Sequence, residues 1–323
     1  IGSSDGTYYW GATSWAADGT LSGGVAEANF ADVINGTAGN DKIDGKGGND
    51  ALNGRSGNDL IDGGDGDDLI GGGVGSDNIR GGAGNDSISS SATLVVGQRL
   101  TPGDYWRPPG GAHVYASGPG WGIYDSNESD GSPVIIWSHG NFPQGADGDV
   151  VDAGAGNDNV IASAGADRVQ GGEGADRIEG LGGADVLEGG DGDDYINGDG
   201  TLEGGYFTST TAESHGADFI DGGAGTDTLT GSGGGDQIFG GSGDDQIFSD
   251  AASAPGSAGF LDFAFHGEDY IDGEDGADYI EGGGNDDIIY GGSGKDNLWG
   301  DQSATRLTGN AATNPLAWGD DYL

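Results

Sequence analysis

From Asn53 to Ile88 the chain runs NGRSGNDLI DGGDGDDLI GGGVGSDNI RGGAGNDSI, four blocks of nine without a gap. Each block has glycine near its start, aspartate in its seventh place and an apolar residue in its ninth. A fixed short period constrains architecture more than any local propensity does, because every block must solve the same packing problem in the same way. With the aspartate as marker, the period extends over Asp41, Asp50, Asp59, Asp68, Asp77 and Asp86, then Asp149, Asp158, Asp167, Asp176, Asp185 and Asp194. It resumes at Asp218, Asp227, Asp236 and Asp245, again at Asp269, Asp278, Asp287 and Asp296, and once more at Asp321. Two residues after every marker stands Ile, Leu or Val; two residues before, glycine stands in 19 of 21. The departures are Asp147 and Asn285, and Asn is the residue next best suited to a left-handed backbone.

With the block started one residue later, at its first glycine, the consensus is G-G-x-G-x-D-x-U-x, with U apolar. Its glycines permit positive φ and a tight curl, which lets carbonyl oxygens converge. The x-U-x that follows predicts a three-residue strand with one side chain facing in. Two blocks then make one coil of a flattened solenoid, and stacked coils make two parallel sheets enclosing a ladder of Ile, Leu and Val. That ladder is thin: only 33% of the 323 residues are hydrophobic, and 75 are Gly. Low hydrophobicity with a formal net charge of −45 ordinarily means disorder. Stacking worsens the problem, because it sets the aspartate of one block over that of the block two further on, a column of like charges. A hard divalent cation between coils reverses the sign. Carboxylates with backbone carbonyls suit Ca²⁺, which accepts irregular shells of six or more oxygens, whereas Mg²⁺ is too small and too strongly hydrated.

The blocks GGDGDDLI, GGAGNDSI, GGEGADRI, GGDGDDYI, GGAGTDTL and GGSGDDQI resemble the RTX, or hemolysin-type calcium-binding, nonapeptide. The resemblance covers about two-thirds of the chain. It implies an all-β fold, a right-handed parallel β-roll with Ca²⁺ between turns. It also implies type I secretion to the extracellular space or bacterial cell surface, with folding on calcium outside the cell. Carried over position by position, the ligands are the twenty-one marker aspartates joined by glycine carbonyls.

The expected organisation is an aromatic-rich flank over 1–33, a first roll block over 34–88, a β insertion over 89–146 and a second array over 147–323. Shorter insertions are expected at 197–215, 248–266 and 299–318. The uninterrupted runs hold even numbers of blocks, so every insertion should leave from the same edge. Asp199, Asp250 and Asp301 precede the short insertions and either complete a calcium site or start a turn. His215 and His266, which open the return segments, are expected to close the loops and not to bind transition metals. Strands are expected in AHVYASG, WGIYDS and PVIIWSH of the long insertion.

Acidity excludes nucleic acid, and no apolar run is long enough to span a membrane. No cysteine is present for disulfides or Cys-based zinc sites. Enzyme signatures are poor: HExxH is missing, GSSDG at Gly2–Gly6 lacks the context of a nucleophile elbow, and Gly294-Lys295 is followed by Asp296 instead of Ser or Thr. Chain ends of this kind, Ile1 and a block cut at Leu323, are expected of a segment from a longer polypeptide. Two classes of function follow. One is a non-enzymatic structural segment of a surface, adhesin-like or filament-forming protein, with identical subunits as partners. The other is the accessory repeat region of a secreted lipase, protease, alginate epimerase or toxin.

Overall fold

The structure is a computed structural model that describes residues 33–91, 148–199, 215–250 and 266–301, together with five short strands outside them. The described residues contain strands and turns with no helix, so none contains a helix able to cross a membrane. Two parallel sheets face each other. One runs in spatial order Lys42–Asp44, Leu60–Asp65, Asn78–Ala83, Val150–Ala155, Arg168–Glu173, Val186–Asp191, Phe219–Ala224, Gln237–Ser242, Tyr270–Asp272, Ile288–Tyr290. The other runs Val33–Asn35, Ala51–Ser56, Leu69–Val74, Ser87–Ser89, Asn159–Ile161, Arg177–Glu179, Tyr195–Asn197, Thr228–Ser232, Gln246–Asp250, Tyr279–Gly283, Asn297–Asp301. The chain alternates between them, and Leu60 pairs with Asn78, Asn159 with Arg177, one coil being two blocks. This is the parallel β-roll that the repeat predicts.

The apolar place of each block faces inward. Ile43, Ile61, Ile79, Val169, Leu187, Ile220, Ile238 and Ile271 from one sheet meet Leu52, Ile70, Ile88, Val160, Ile178, Ile196, Leu229 and Ile247 from the other, all buried in one continuous core. Each x-U-x stretch gives it one large apolar side chain, joined in Val150–Ala155 by Ala153. In the later coils the outward positions become aromatic: Phe219, Phe239, Tyr270 and Tyr290 form a chain of ring contacts with centroids 5.4, 5.9 and 5.7 Å apart. Such cross-strand pairs reinforce the ladder from outside.

Most strands of the two parallel sheets are longer than three residues. Pairing continues through the two glycines and the third place of the next block, as in Gly64 with Gly82 and Asp65 with Ala83. The side-chain pattern hides this, because glycine pairs its backbone without leaving an inside-outside signature. A strand also precedes the first marker: Ile34 pairs with Leu52, so Asp32 and Ile34 occupy the aspartate and apolar places of a block that lacks its glycines.

Insertions interrupt the numbering but not the stacking. Asn78 pairs with Val150, Val186 with Phe219 and Gln237 with Tyr270. In all three cases the chain leaves the sheet containing Leu52 and returns into the sheet containing Ile43, so all three depart from one edge. Strand Asn297–Asp301 ends at that edge as well. We call it the interrupted edge and the other the continuous edge. The described backbone includes Asp199 and Asp250. Within the long insertion, Leu94–Val96, Ile135–Trp137 and Gly122–Ile123 form a three-stranded antiparallel sheet. Two of these strands fall in WGIYDS and PVIIWSH; AHVYASG lies outside the described residues, and Leu94–Val96 carried no recognised signal. Ser14–Trp15 pairs with Leu21–Ser22 in the N-terminal flank.

Truncation of one rung measures how far the thin core contributes. Ile178→Ala removes a fully buried side chain and should cost about 2–5 kcal/mol in urea unfolding of the calcium-saturated protein. A loss below about 1 kcal/mol would show that the ladder is not close-packed.

Candidate metal centre

Each turn places its marker aspartate under the next coil. The backbone N–H of Asp59 donates to Oδ1 of Asp77 at 2.8 Å, that of Asp158 to Asp176 at 2.8 Å and that of Asp185 to Asp218 at 2.8 Å. The same bond joins Asp41 to Asp59, Asp50 to Asp68, Asp86 to Asp158 and Asp149 to Asp167. In the later coils it joins Asp194 to Asp227, Asp236 to Asp269, Asp245 to Asp278 and Asp269 to Asp287. The carboxylates therefore form two columns. The continuous edge carries Asp50, Asp68, Asp86, Asp158, Asp176, Asp194, Asp227, Asp245, Asp278 and Asp296; the interrupted edge carries Asp41, Asp59, Asp77, Asp149, Asp167, Asp185, Asp218, Asp236, Asp269 and Asp287. Asp321 lies outside the described residues.

The other oxygen decides what the columns can do. Oδ2 is buried without a protein donor at Asp59, Asp68, Asp77, Asp86, Asp158, Asp176, Asp185, Asp194, Asp218, Asp227, Asp236, Asp245, Asp269 and Asp278. Isolated buried charges are costly, so groups of this kind are paired, protonated or metal-bound. A carbonyl from the next coil approaches the same place. A Cβ added to Gly222 would lie 2.5 Å from both Asp227 Oδ2 and Gly240 O; at Gly240 the corresponding oxygens are Asp245 Oδ2 at 2.7 Å and Gly273 O at 2.6 Å. The first glycine of the block is thus required because a carboxylate oxygen and a carbonyl oxygen bracket its Cα. The second and fourth glycines take left-handed φ, 118° at Gly172 and 125° at Gly174, turning further carbonyls toward the neighbouring coil.

Among the described residues no three carboxylate, histidine or cysteine side chains gather around one point. The available donors are carboxylate oxygens and backbone carbonyls, the hard-oxygen mixture that suits Ca²⁺. A transition metal would call for imidazole or thiolate. Without a cation the columns are under electrostatic stress. Burial, reinforced by like charges on neighbouring coils, pushes Asp77, Asp86, Asp158 and Asp227 up to about 7, Asp218 to about 8 and Asp185 to about 9. The donated backbone N–H opposes the shift at each of them but does not cancel it.

Asp199 and Asp250 seal the necks of the insertions. Nδ1 of His215 lies 3.0 Å from Asp199 Oδ2, and Nδ1 of His266 lies 2.8 Å from Asp250 Oδ2. The N–H groups of Gly216 and Gly233 also donate to Asp199, at 3.0 and 3.2 Å, and Gly284 N–H donates to Asp250 at 2.8 Å. These aspartates close turns, and the histidines act as loop closers as expected. Nothing is described of the side chain of Asp301.

A second ladder was not anticipated. The residue before the marker, often Asn or Asp, accepts the N–H of its counterpart one coil on: Asn58 N–H to Asn40 at 3.0 Å, Asn157 N–H to Asn85 at 2.7 Å, Thr226 N–H to Asp193 at 2.8 Å. The recurring dipeptides Asn-Asp and Asp-Asp were its sequence signal. Left-handed φ also occurs at Asn285 (75°), as expected, and at Lys46, Arg55, Leu181, Ser232 and Glu274 in the second place, where the consensus has glycine.

A comparison with curated proteins returned no match. A scan against protein families matches the RTX calcium-binding nonapeptide repeat over residues 28–61, 44–79, 62–92, 144–178, 170–200, 216–249 and 266–304. Repeats of this family bind several calcium ions and are typical of secreted proteins, with the calcium bound outside the cell. Matched over more than half of its length, the chain belongs to the RTX calcium-binding nonapeptide repeat family.

Proposed function

We propose that this chain is a calcium-set rod within an extracellular structural protein, and that its marker aspartates are the ligands. The rod displays its insertions in one row and docks through them on copies of itself in a filament or surface layer. The observation that carries this reading is the common edge of departure. Counted along the sheet containing Ile43, insertions enter before the fourth, seventh and ninth strands. At about 4.8 Å per coil, the last two stand about 10 Å apart. A row of loops on one side of a stiff rod is suited to repeated lateral contacts. The uninterrupted column of the other edge supplies the stiffness. No catalytic role is needed in this reading: the histidines at the insertion necks are engaged with Asp199 and Asp250.

Electron microscopy of the intact chain tests the assembly. Ordered filaments or sheets are expected in calcium, with dispersal on EGTA; shortening residues 200–214 and 251–265 to glycine linkers should abolish assembly while the roll persists. Filaments that survive complete calcium removal would contradict the reading.

The raised carboxylates set a pH dependence. The ion-free roll holds protons that the unfolded chain, with ordinary aspartates near 3.9, releases. Its stability is therefore present at low pH and is lost as pH rises from about 4 through the values near 7 to 9. Calcium must displace those protons. Circular dichroism of calcium-free protein should show sheet at pH 4.5 and coil at pH 8. The calcium midpoint should rise on the order of tenfold or more between pH 8 and pH 5.5. A midpoint independent of pH would exclude these carboxylates as ligands.

A further inference from the structure

Two turns of the interrupted edge are closed from within. In a regular turn of this edge the fourth-place N–H donates to the next coil, as Gly57 does to Val74 O at 2.8 Å; on the continuous edge Gly66 does the same to Ala83 O at 2.6 Å. The second place is left-handed, and the marker keeps Oδ2 without a donor. Thr37 and Ser163 occupy the second place of the turns that end in Asp41 and Asp167. Neither is among the residues with left-handed φ. Their N–H groups turn inward and donate to Oδ2, at 2.6 Å in Asp41 and 2.8 Å in Asp167. Their hydroxyls lie 3.1 and 2.9 Å from the same oxygens, and 3.2 and 3.0 Å from Oδ1. Each hydroxyl in turn accepts the fourth-place N–H, from Gly39 at 3.2 Å and Gly165 at 3.0 Å. Donors that other turns send across to the next coil are thus used inside the turn, and both carboxylate oxygens are engaged.

The residue type alone does not produce this. Ser232 also stands in a second place, but it takes φ 83°, its hydroxyl donates to Asn197 Oδ1 at 2.8 Å, and Asp236 Oδ2 remains without a donor. Location in the fold distinguishes the closed turns. Asp41 is the first marker of its own edge in the sequence, with Gly23 eighteen residues before it. Asp167 stacks on the turn of Asp149, which re-forms after the long insertion and has Asp147 where glycine is usual. Each therefore stands one coil on from a stretch whose sequence departs from the block consensus.

Building on the assignment of the marker aspartates as calcium ligands, we infer that the turns of Asp41 and Asp167 hold no calcium, and that the hydroxyls and N–H groups of Thr37 and Ser163 satisfy the oxygens of these carboxylates in its place. The roll then has metal-free turns where a run begins and metal-set turns beyond them.

An anomalous difference map of the unaltered chain crystallised with terbium in place of calcium tests this directly. Peaks are expected beside Asp68, Asp176 and Asp194 and none beside Asp41 or Asp167; Ser163→Gly should add a peak at Asp167. A peak within bonding distance of Asp41 or Asp167 in the unaltered chain overturns the inference, as does a Ser163→Gly map without the added peak. In equilibrium dialysis Asp176→Asn should lower the calcium bound per chain and Asp167→Asn should leave it unchanged. An equal loss from both variants overturns the inference while sparing the ligand assignment. No loss from either, with no peak at any turn, removes the ligand assignment itself.

Discussion

Everything in this fold turns on carboxylates buried one above another, most of them with a backbone donor to one oxygen and none to the other. The N–H of one marker reaches Oδ1 of the next, which fixes the coil spacing and keeps the second oxygen inside the turn. There it meets a carbonyl of the following coil instead of a proton donor. Two acceptors facing one small space repel each other unless something positive lies between them. Calcium resolves the conflict without demanding a rigid geometry. The apolar ladder, one large side chain per block, is too thin to override it. Glycine content, acidity and the nine-residue period all follow from that one constraint.

The same constraint explains why insertions are tolerated where they are. A turn binds its neighbours through backbone groups and the marker, so extra residues are harmless if the turn closes again. Asp199 with His215, and Asp250 with His266, provide closure by pairing across the neck. Gly216 N–H then donates to Asp199 in place of the usual carbonyl of the next coil. Thr37 and Ser163 achieve a related closure without an insertion in the turn. Side-chain donors appear at the places where regular stacking is interrupted.

Much of this was legible in the sequence because the repeat couples chemistry to geometry. A marker every nine residues, followed by Ile, Leu or Val, fixed both the coil length and the inward face, and even block counts placed the insertions on one edge. What escaped notice was carried by the backbone. Pairing through Gly64 and Asp65 leaves no inside-outside pattern. The left-handed φ of Lys46 and Leu181 runs against the preference of their own residue types, so nothing in the letters announces it. The Asn40–Asn58 contact was hidden in plain letters, because Asn before Asp reads as ordinary turn composition. The first strand, Val33–Asn35, lacked the glycines by which a block is recognised.

Hydrogen exchange by mass spectrometry, in calcium and after its removal at neutral pH, tests the central claim most directly. Calcium-loaded protein should protect the amides of Arg168–Glu173, Val186–Asp191 and Phe219–Ala224, and removal should expose all three together. Protection that persists in the calcium-free chain would show that the coils cohere without a bridging ion.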